Sequence, residues 1–227
     1  MEKYFALLME NPLFAGIDRE SLGSLMGCLA ARVQQFAKGE PVFMEGDRAG
    51  VIGFVLEGSV QIVRDDFYGN RSLLMLTQTG DMFGEAYACA GVDTMPVSGY
   101  AVQDSKILWL ACGKMLTVCT NACGFHNTLV QNLLQVVAQK NLVLGKKIQF
   151  MSQKTTREKL LVYLLDQAKV KGSPEFIIPL DRQALADFLG VERSAMSAEL
   201  SKLRQSGVLE TKGSWFRLTA EAISESI

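Results

Sequence analysis

The sequence predicts an α+β protein built from a double-stranded β-helix (jelly roll), a long helix and a small C-terminal domain. Residues 33–110 alternate short apolar runs with glycine or polar turns, which is typical of a small barrel of seven or eight strands. Residues 125–151 contain no proline and one glycine, as expected of a single long helix. Shorter helical and strand-like segments follow. We therefore predict domains at 1–124, 125–152 and 153–227.

The composition is that of a folded globular chain. Hydrophobic residues make up 48% of the 227 residues and charged residues 21%, which excludes a disordered or collagen-like protein. The formal net charge is -1, so nucleic-acid binding would require a local basic patch. No apolar run approaches the roughly 18 residues of a membrane span, and the first residues do not match a signal peptide. Five scattered cysteines do not form a disulfide pattern, so we expect a cytoplasmic protein without a membrane partner.

A helix is predicted before the barrel. Asp18 is a good N-cap for a segment in which Leu22, Leu25, Met26 and Leu29 recur at helical spacing. These residues form an apolar face that requires a packing partner.

The long helix carries an apolar seam at alternating steps of four and three residues. The seam consists of Val130, Leu134, Val137, Asn141, Leu144, Ile148 and Met151. A second stripe beside it consists of Leu129, Leu133, Val136 and Val143. Two stripes allow packing on the barrel and on a second copy of the chain, so we expect a homodimer in which the polar seam residue sets the register. The alternative is a helix buried inside a monomer.

The C-terminal domain shows the pattern of a winged helix-turn-helix. Thr155 and Glu158 form a capping box that starts its first helix. Residues 181–205 then divide into a short helix, a turn at Gly190 and a longer helix, with strand-like segments and a turn after them. The longer helix would be the recognition helix, whose exposed N-terminal part contacts bases in the major groove. This pattern predicts double-stranded DNA as a partner.

Basic side chains support this interpretation. Five basic residues and two acidic ones lie between residues 193 and 217. We expect Arg193 to contact a guanine, Glu192, Ser194 and Ser197 to lie near bases, and Lys202, Arg204 and Lys212 to contact phosphates. A packing-only helical hairpin is one alternative. Another is a ligand-binding module whose C-terminal domain recruits protein rather than DNA.

The arrangement resembles the Crp/Fnr family of bacterial transcription regulators. The barrel strings KGEPVFMEGD (38–47), FVLEGSV (54–60) and GDMFGEA (80–86) and the segment LGVERSAMSAELSKL (189–203) carry the resemblance, which covers nearly the whole chain. It implies a dimer that binds a palindromic operator, with a small-molecule effector in a cyclic-nucleotide-binding-like barrel shifting the population of the DNA-binding state. It also implies that the loop at 169–176 contacts RNA polymerase. Ser194 and Ala198 depart from the better-known members, so the operator sequence does not follow.

The resemblance does not extend to cyclic AMP as the effector. Gly84 and Glu85 match the Gly-Glu motif of cyclic-nucleotide-binding members, but Met95 and Pro96 occupy the positions of the Arg-Ser pair that binds the phosphate. A buried phosphate without a charged partner costs more free energy than an apolar pocket returns. We expect an apolar or aromatic effector, or else a collapsed pocket. The predicted effector site consists of Gly84, Glu85, Ala86, Tyr87, Met95, Pro96, Val97, Asn141 and Leu144.

Cysteine and histidine residues offer a rival sensor. Cys119, Cys123 and His126 fall on one helical face, which a metal or haem sensor could use. Cys89 is a separate thiol-sensor candidate. The family's iron-sulfur members carry an N-terminal cysteine cluster, whereas Cys28 stands alone in the first 88 residues. We expect no metal or other cofactor, and no enzymatic activity, because the single histidine belongs to no catalytic motif.

Overall fold

The computed structural model of the chain describes residues 1–65, 67, 71–117 and 124–219. The chain divides into two compact units, Met1–Gln139 and Lys140–Ile227. The long helix begins in the first unit and ends in the second. No helix of the described ranges is both long enough and apolar enough to cross a membrane.

The first unit opens with short helical segments. They are 3-10 turns at Glu2–Tyr4 and Pro12–Phe14, helix α1 (Phe5–Glu10) and helix α2 (Arg19–Cys28). The predicted cap of α2 is confirmed, because the Asp18 carboxylate accepts a hydrogen bond of 2.8 Å from the Ser21 backbone N–H. Leu22 and Leu25 of α2 are fully buried in the core that these helices share with the barrel.

The barrel consists of two four-stranded antiparallel sheets, as a jelly roll requires. Its strands are β1 (Arg32–Phe36), β2 (Pro41–Phe43), β3 (Val51–Glu57), β4 (Ser59–Asp65), β5 (Arg71–Gln78), β6 (Met82–Phe83), β7 (Ser98–Ala101) and β8 (Ser105–Ala111). One sheet has the order β1-β8-β3-β6 and the other the order β2-β7-β4-β5. Helix α3 (Glu85–Ala90) follows β6, and helix α4 (Cys112–Leu116) follows β8. The predicted barrel is therefore confirmed.

The long helix α5 spans Gly124–Met151, as predicted. On its inner side, Leu129 and Leu133 are buried, and the Asn132 amide donates hydrogen bonds to the carbonyl oxygens of Leu13 (3.0 Å) and Ala15 (2.8 Å). These contacts fasten α5 to the N-terminal segment. Val143, which belongs to the second predicted stripe, is 57% exposed.

The second unit combines helices with a small sheet. Its elements after α5 are α6 (Thr156–Lys171), β9 (Glu175–Ile177), α7 (Arg182–Leu189), α8 (Arg193–Gln205), β10 (Leu209–Lys212) and β11 (Trp215–Leu218). The sheet order is β10-β11-β9, with antiparallel pairing. The predicted capping box is present, since Thr155 Oγ1 accepts from the Glu158 N–H and Glu158 accepts from the Thr155 N–H. A core of leucine and aromatic side chains holds these elements together.

Candidate DNA-binding surface and effector cavity

Helices α7 and α8 form a helix-turn-helix because local chemistry fixes both ends of the turn. Asp181 caps α7 by accepting a 2.8 Å hydrogen bond from the Ala184 N–H. Gly190 ends α7 with φ of 61°, a left-handed conformation that suits glycine. Ala186 is fully buried in the core shared by α7 and α8, where a larger side chain would separate the helices.

Helix α8 is anchored by one face and exposed on the other. Met196, Leu200 and Leu203 are buried in the core of the second unit. The sequence-predicted DNA-contacting residues are all exposed: Glu192, Arg193, Ser194, Ser197, Lys202, Arg204 and Lys212. The structure therefore places the first six on or next to one helix and the last at the end of β10, in the wing.

Most of the basic groups on this surface are available for a ligand. Arg193, Arg204 and Lys212 form no ion pair with any residue that the structure describes. Lys202 differs, because its Nζ lies 3.2 Å from Glu199 Oε2. The Glu192 side chain makes no capping hydrogen bond at the start of α8, so backbone N–H groups of the first turn are available to a phosphate.

Arg182 connects α7 to the wing, a contact that the sequence did not predict. Its Nη2 donates a 2.6 Å hydrogen bond to Thr211 Oγ1, and its guanidinium lies 4.9 Å from the centroid of the Phe216 ring. Burial lowers the pKa of this guanidinium, which nevertheless remains charged at neutral pH. Arg182 thus fastens α7 to the wing beside α8. Its position directly after the Asp181 cap was the available signal.

The predicted effector residues differ in burial. Gly84 begins α3 in a left-handed conformation (φ 80°), and Glu85 is buried. Met95 and Val97 are buried in the barrel core, Tyr87 and Pro96 are half-buried, and Ala86 is exposed. Asn141 and Leu144 are exposed residues of the second unit.

A cavity of about 180 Å³ lies in the barrel. Of the predicted effector residues, it is lined by Gly84 and Met95. The rest of its lining is Arg32, Gln34, Val42, Phe43, Asp47, Arg48, Val51, Phe83 and Trp109. The sequence between Arg71 and Lys106 contains no arginine or lysine. Arg32 and Arg48, which precede this segment in the chain, nevertheless line the cavity. These two arginines could not be predicted as cavity residues because they are distant in sequence from the Gly-Glu motif.

The cysteine and histidine residues divide into separate groups. Cys119 and Cys123 lie outside the described residues. His126 is a buried residue of α5 whose ring lies beside that of Phe125. In the described ranges no three histidine, cysteine, aspartate or glutamate side chains are grouped as a metal site would require.

Cys89 and Cys112 form a close thiol pair. Their sulfur atoms lie 3.7 Å apart, and the pair joins α3 to the start of α4. Burial raises the pKa of the Cys112 thiol to about 12, so this group is protonated at neutral pH. Cys89 was a predicted thiol-sensor candidate, but its partner Cys112 is 23 residues away in the chain and could not be predicted from the sequence.

Comparisons with known proteins agree with the architecture. Residues 33–121 match the family model of the cyclic nucleotide-binding domain, and residues 158–222 match that of the Crp-like helix-turn-helix domain. The chain is 25% identical to a probable transcriptional regulator, flp, of Lacticaseibacillus casei over 214 residues, which cover 91% of each chain. It is 23% identical to the transcriptional activator protein FnrL of Cereibacter sphaeroides, over 88% of this chain and 80% of that one.

Solved structures share the fold. The OCPA complex of CprK matches with a TM-score of 0.66 at 16% identity, covering 89% of this chain and 93% of the other. The two family models together match more than half of the chain. The first model matches within the unit Met1–Gln139 and the second within the unit Lys140–Ile227. The chain belongs to the Crp/Fnr family of transcriptional regulators, with an N-terminal effector-binding domain and a C-terminal helix-turn-helix DNA-binding domain.

Proposed function

We propose that the chain is a homodimeric, cytoplasmic regulator that reads a palindromic operator through α8 and contacts phosphates through the wing. The surface of α8 is the observation that carries this proposal. Arg193 and Arg204 are exposed there and form no ion pair with the described residues, while the opposite side of the helix is buried through apolar side chains. In functional terms we propose a sensor domain at 1–124, a dimerisation helix at 125–152 and a DNA-binding domain at 153–227. The segment 169–176, expected to be a loop, instead comprises the end of α6, residues 172–174 and the start of β9. We propose that this segment, in which Val170 of α6 is exposed, contacts RNA polymerase.

The dimer contact is proposed along α5. Four members of its apolar seam, Leu134, Leu144, Ile148 and Met151, are exposed. A run of large exposed apolar side chains on one helix is typical of a surface that a partner covers. The two half-sites of an operator lie one helical turn, or a multiple of it, apart. A palindromic operator therefore matches the two-fold symmetry of a dimer.

The effector is proposed to be a small molecule other than cyclic AMP. Met95, at one of the two positions where cyclic-nucleotide-binding relatives carry a phosphate ligand, is buried in the barrel core. The barrel cavity of about 180 Å³ is close in size to a cavity of ~150 Å³ that holds one benzene ring. A thermal shift of the purified protein with cyclic AMP and with small aromatic ligands tests this proposal; stabilisation by cyclic AMP would contradict it.

We predict that Arg193→Ala relaxes the base preference at one position of each half-site. A guanidinium that forks to guanine N7 and O6 contributes about 1–3 kcal/mol of discrimination, whereas a phosphate contact contributes none. A binding selection on randomised half-sites measures this. Lys202→Ala is the matched control on the same helix, and it should lower affinity equally for all sequences. Unchanged preference in Arg193→Ala would remove this residue from base recognition.

A second candidate function is thiol-based redox sensing by Cys89 and Cys112. A peroxide would oxidise the Cys89 thiol to a sulfenic acid with release of water or alcohol. The Cys112 sulfur would then attack the Cys89 sulfur and close a disulfide, and the sulfenic hydroxyl would leave as water with the Cys112 thiol proton. The 3.7 Å separation of the sulfur atoms favours this step.

We predict that stoichiometric hydrogen peroxide removes two thiols from the protein and leaves a Cys89–Cys112 link. Peptide mass mapping and thiol titration measure this. Cys89→Ser and Cys112→Ser should each abolish the link, whereas Cys28→Ser, which alters an exposed cysteine, should retain it. Oxidation that stops at sulfenic acid on Cys89 in the wild-type chain would exclude the pair as a switch.

A further inference from the structure

The barrel cavity is built around one row of residues that crosses a whole sheet. In register across β1, β8, β3 and β6, the row consists of Arg32, Trp109, Gly53 and Phe83. Residues directly opposite each other on neighbouring strands point to the same face of a sheet. Gly53 lacks a side chain at the point where a Cβ would overlap the Phe83 ring. The row therefore places an aromatic wall and a cation on one face.

The walls of the cavity are aromatic. Phe43 stacks on Phe83 with ring centroids 5.8 Å apart, and Phe83 meets Trp109 edge-to-face at 5.6 Å. Such walls favour a flat ring, because aromatic contacts add to the free energy of apolar burial. The volume of about 180 Å³ limits the ligand to about one ring.

Trp109 supplies an unused hydrogen-bond donor. Its side chain is 6% exposed, and its Nε1–H has no hydrogen-bond partner among the described residues. A buried indole N–H ordinarily has a partner, since leaving it without one costs about 1–3 kcal/mol. The indole is therefore part of the buried wall of the cavity.

The rim of the cavity is positively charged. Arg32 and Arg48 are exposed, and their guanidinium groups form no ion pair with the described part of the chain. The Asp47 carboxylate lies on the same rim but accepts a 2.7 Å hydrogen bond from the Met44 backbone N–H. Two arginines against one carboxylate leave the rim with a net positive charge, which suits one anionic group.

We infer that the barrel cavity binds a single-ring aromatic carboxylate, with the ring among Phe43, Phe83 and Trp109 and the carboxylate at Arg32 and Arg48. This inference rests on the proposed function in that it names the chemical class of the effector. It differs from the sequence-predicted site, because neither arginine, nor Trp109, nor either phenylalanine belonged to that site.

Calorimetric titration of the full-length protein with benzoate tests the inference, with benzyl alcohol as the uncharged probe of the same ring. Benzoate is expected to bind saturably, and the double variant Arg32→Gln/Arg48→Gln is expected to lose about 10- to 100-fold in benzoate affinity while its affinity for benzyl alcohol stays the same. Arg64→Gln, which alters an exposed arginine of the same barrel outside the cavity, is the matched control. Unchanged thermal unfolding of the variants shows that they fold.

A second measurement isolates the tryptophan. In a Trp215→Phe background, Trp109 is the remaining tryptophan, and its fluorescence should change on benzoate binding. Trp109→Leu keeps an apolar side chain but removes one aromatic wall of the cavity, so benzoate affinity should fall in that variant. No saturable benzoate binding, or binding that none of the cavity variants alters, would overturn the inference.

Failure of the proposed ligand class can be distinguished from failure of the proposed DNA-binding function. Operator binding by the ligand-free protein, measured by fluorescence anisotropy, reports on DNA recognition independently of the cavity. If the protein binds the operator but does not bind benzoate, only the proposed ligand class is overturned. Competition of cyclic AMP with benzoate would overturn the proposed exclusion of cyclic AMP as well.

Discussion

Leu134→Lys is expected to convert the protein from a dimer to a monomer and to lower operator affinity by at least about 100-fold. Leu134 is 70% exposed on α5, in the seam proposed as the dimer contact. In a dimer interface the new ammonium group would be buried without a partner, which costs far more than the leucine contributed. A monomer binds each half-site separately and loses the gain of about 100- to 10,000-fold that linkage of two sites provides.

Analytical ultracentrifugation and anisotropy titrations with full and half operators measure this effect. Gln139→Lys is the matched control, because it adds the same charge at an exposed α5 position outside the seam. Since Leu134 is exposed, the unfolding temperature of the monomeric unit should change little. A Leu134→Lys protein that stays dimeric at full operator affinity would place the dimer contact elsewhere.

The features that sequence predicts well in this protein are those whose causes are local. The Asp18, Thr155 and Asp181 caps are each determined by a side chain and a backbone N–H three residues away, and all three are present. The turn at Gly190 is equally local. The helix-turn-helix and its exposed residues could therefore be predicted, because helical periodicity alone separates buried from exposed positions.

The effector cavity could not be predicted because its residues come together through strand register. Arg32, Trp109 and Phe83 belong to three strands and become neighbours by pairing of β1 with β8 and of β3 with both β8 and β6. Their spacing in sequence carries no sign of this. Trp109 was part of a strand-like apolar run, and nothing in that run shows that its indole N–H would lack a partner. Asn141 and Leu144 illustrate the converse, since helical periodicity alone predicts their place in the seam of α5, where both are exposed.

Gly53→Ala is expected to destabilise the barrel by about 1–3 kcal/mol, the usual cost of overpacking a core. The added methyl group would overlap the Phe83 ring, which is buried and held between Phe43 and Trp109. A rigid ring in a closely packed interior has no low-energy rotamer into which it can retreat, so strand β3 must shift or the ring must move. Urea unfolding followed by circular dichroism measures the loss.

Gly50→Ala is the control that makes this result specific. Gly50 directly precedes β3, and nothing in the structure lies within 4 Å of an added Cβ. Its substitution should change the free energy of unfolding by less than about 0.5 kcal/mol. If Gly53→Ala were as stable as Gly50→Ala, the Phe83 ring would have to move without cost. The aromatic wall of the cavity would then be adjustable, and its fit to one flat ring would no longer select a ligand.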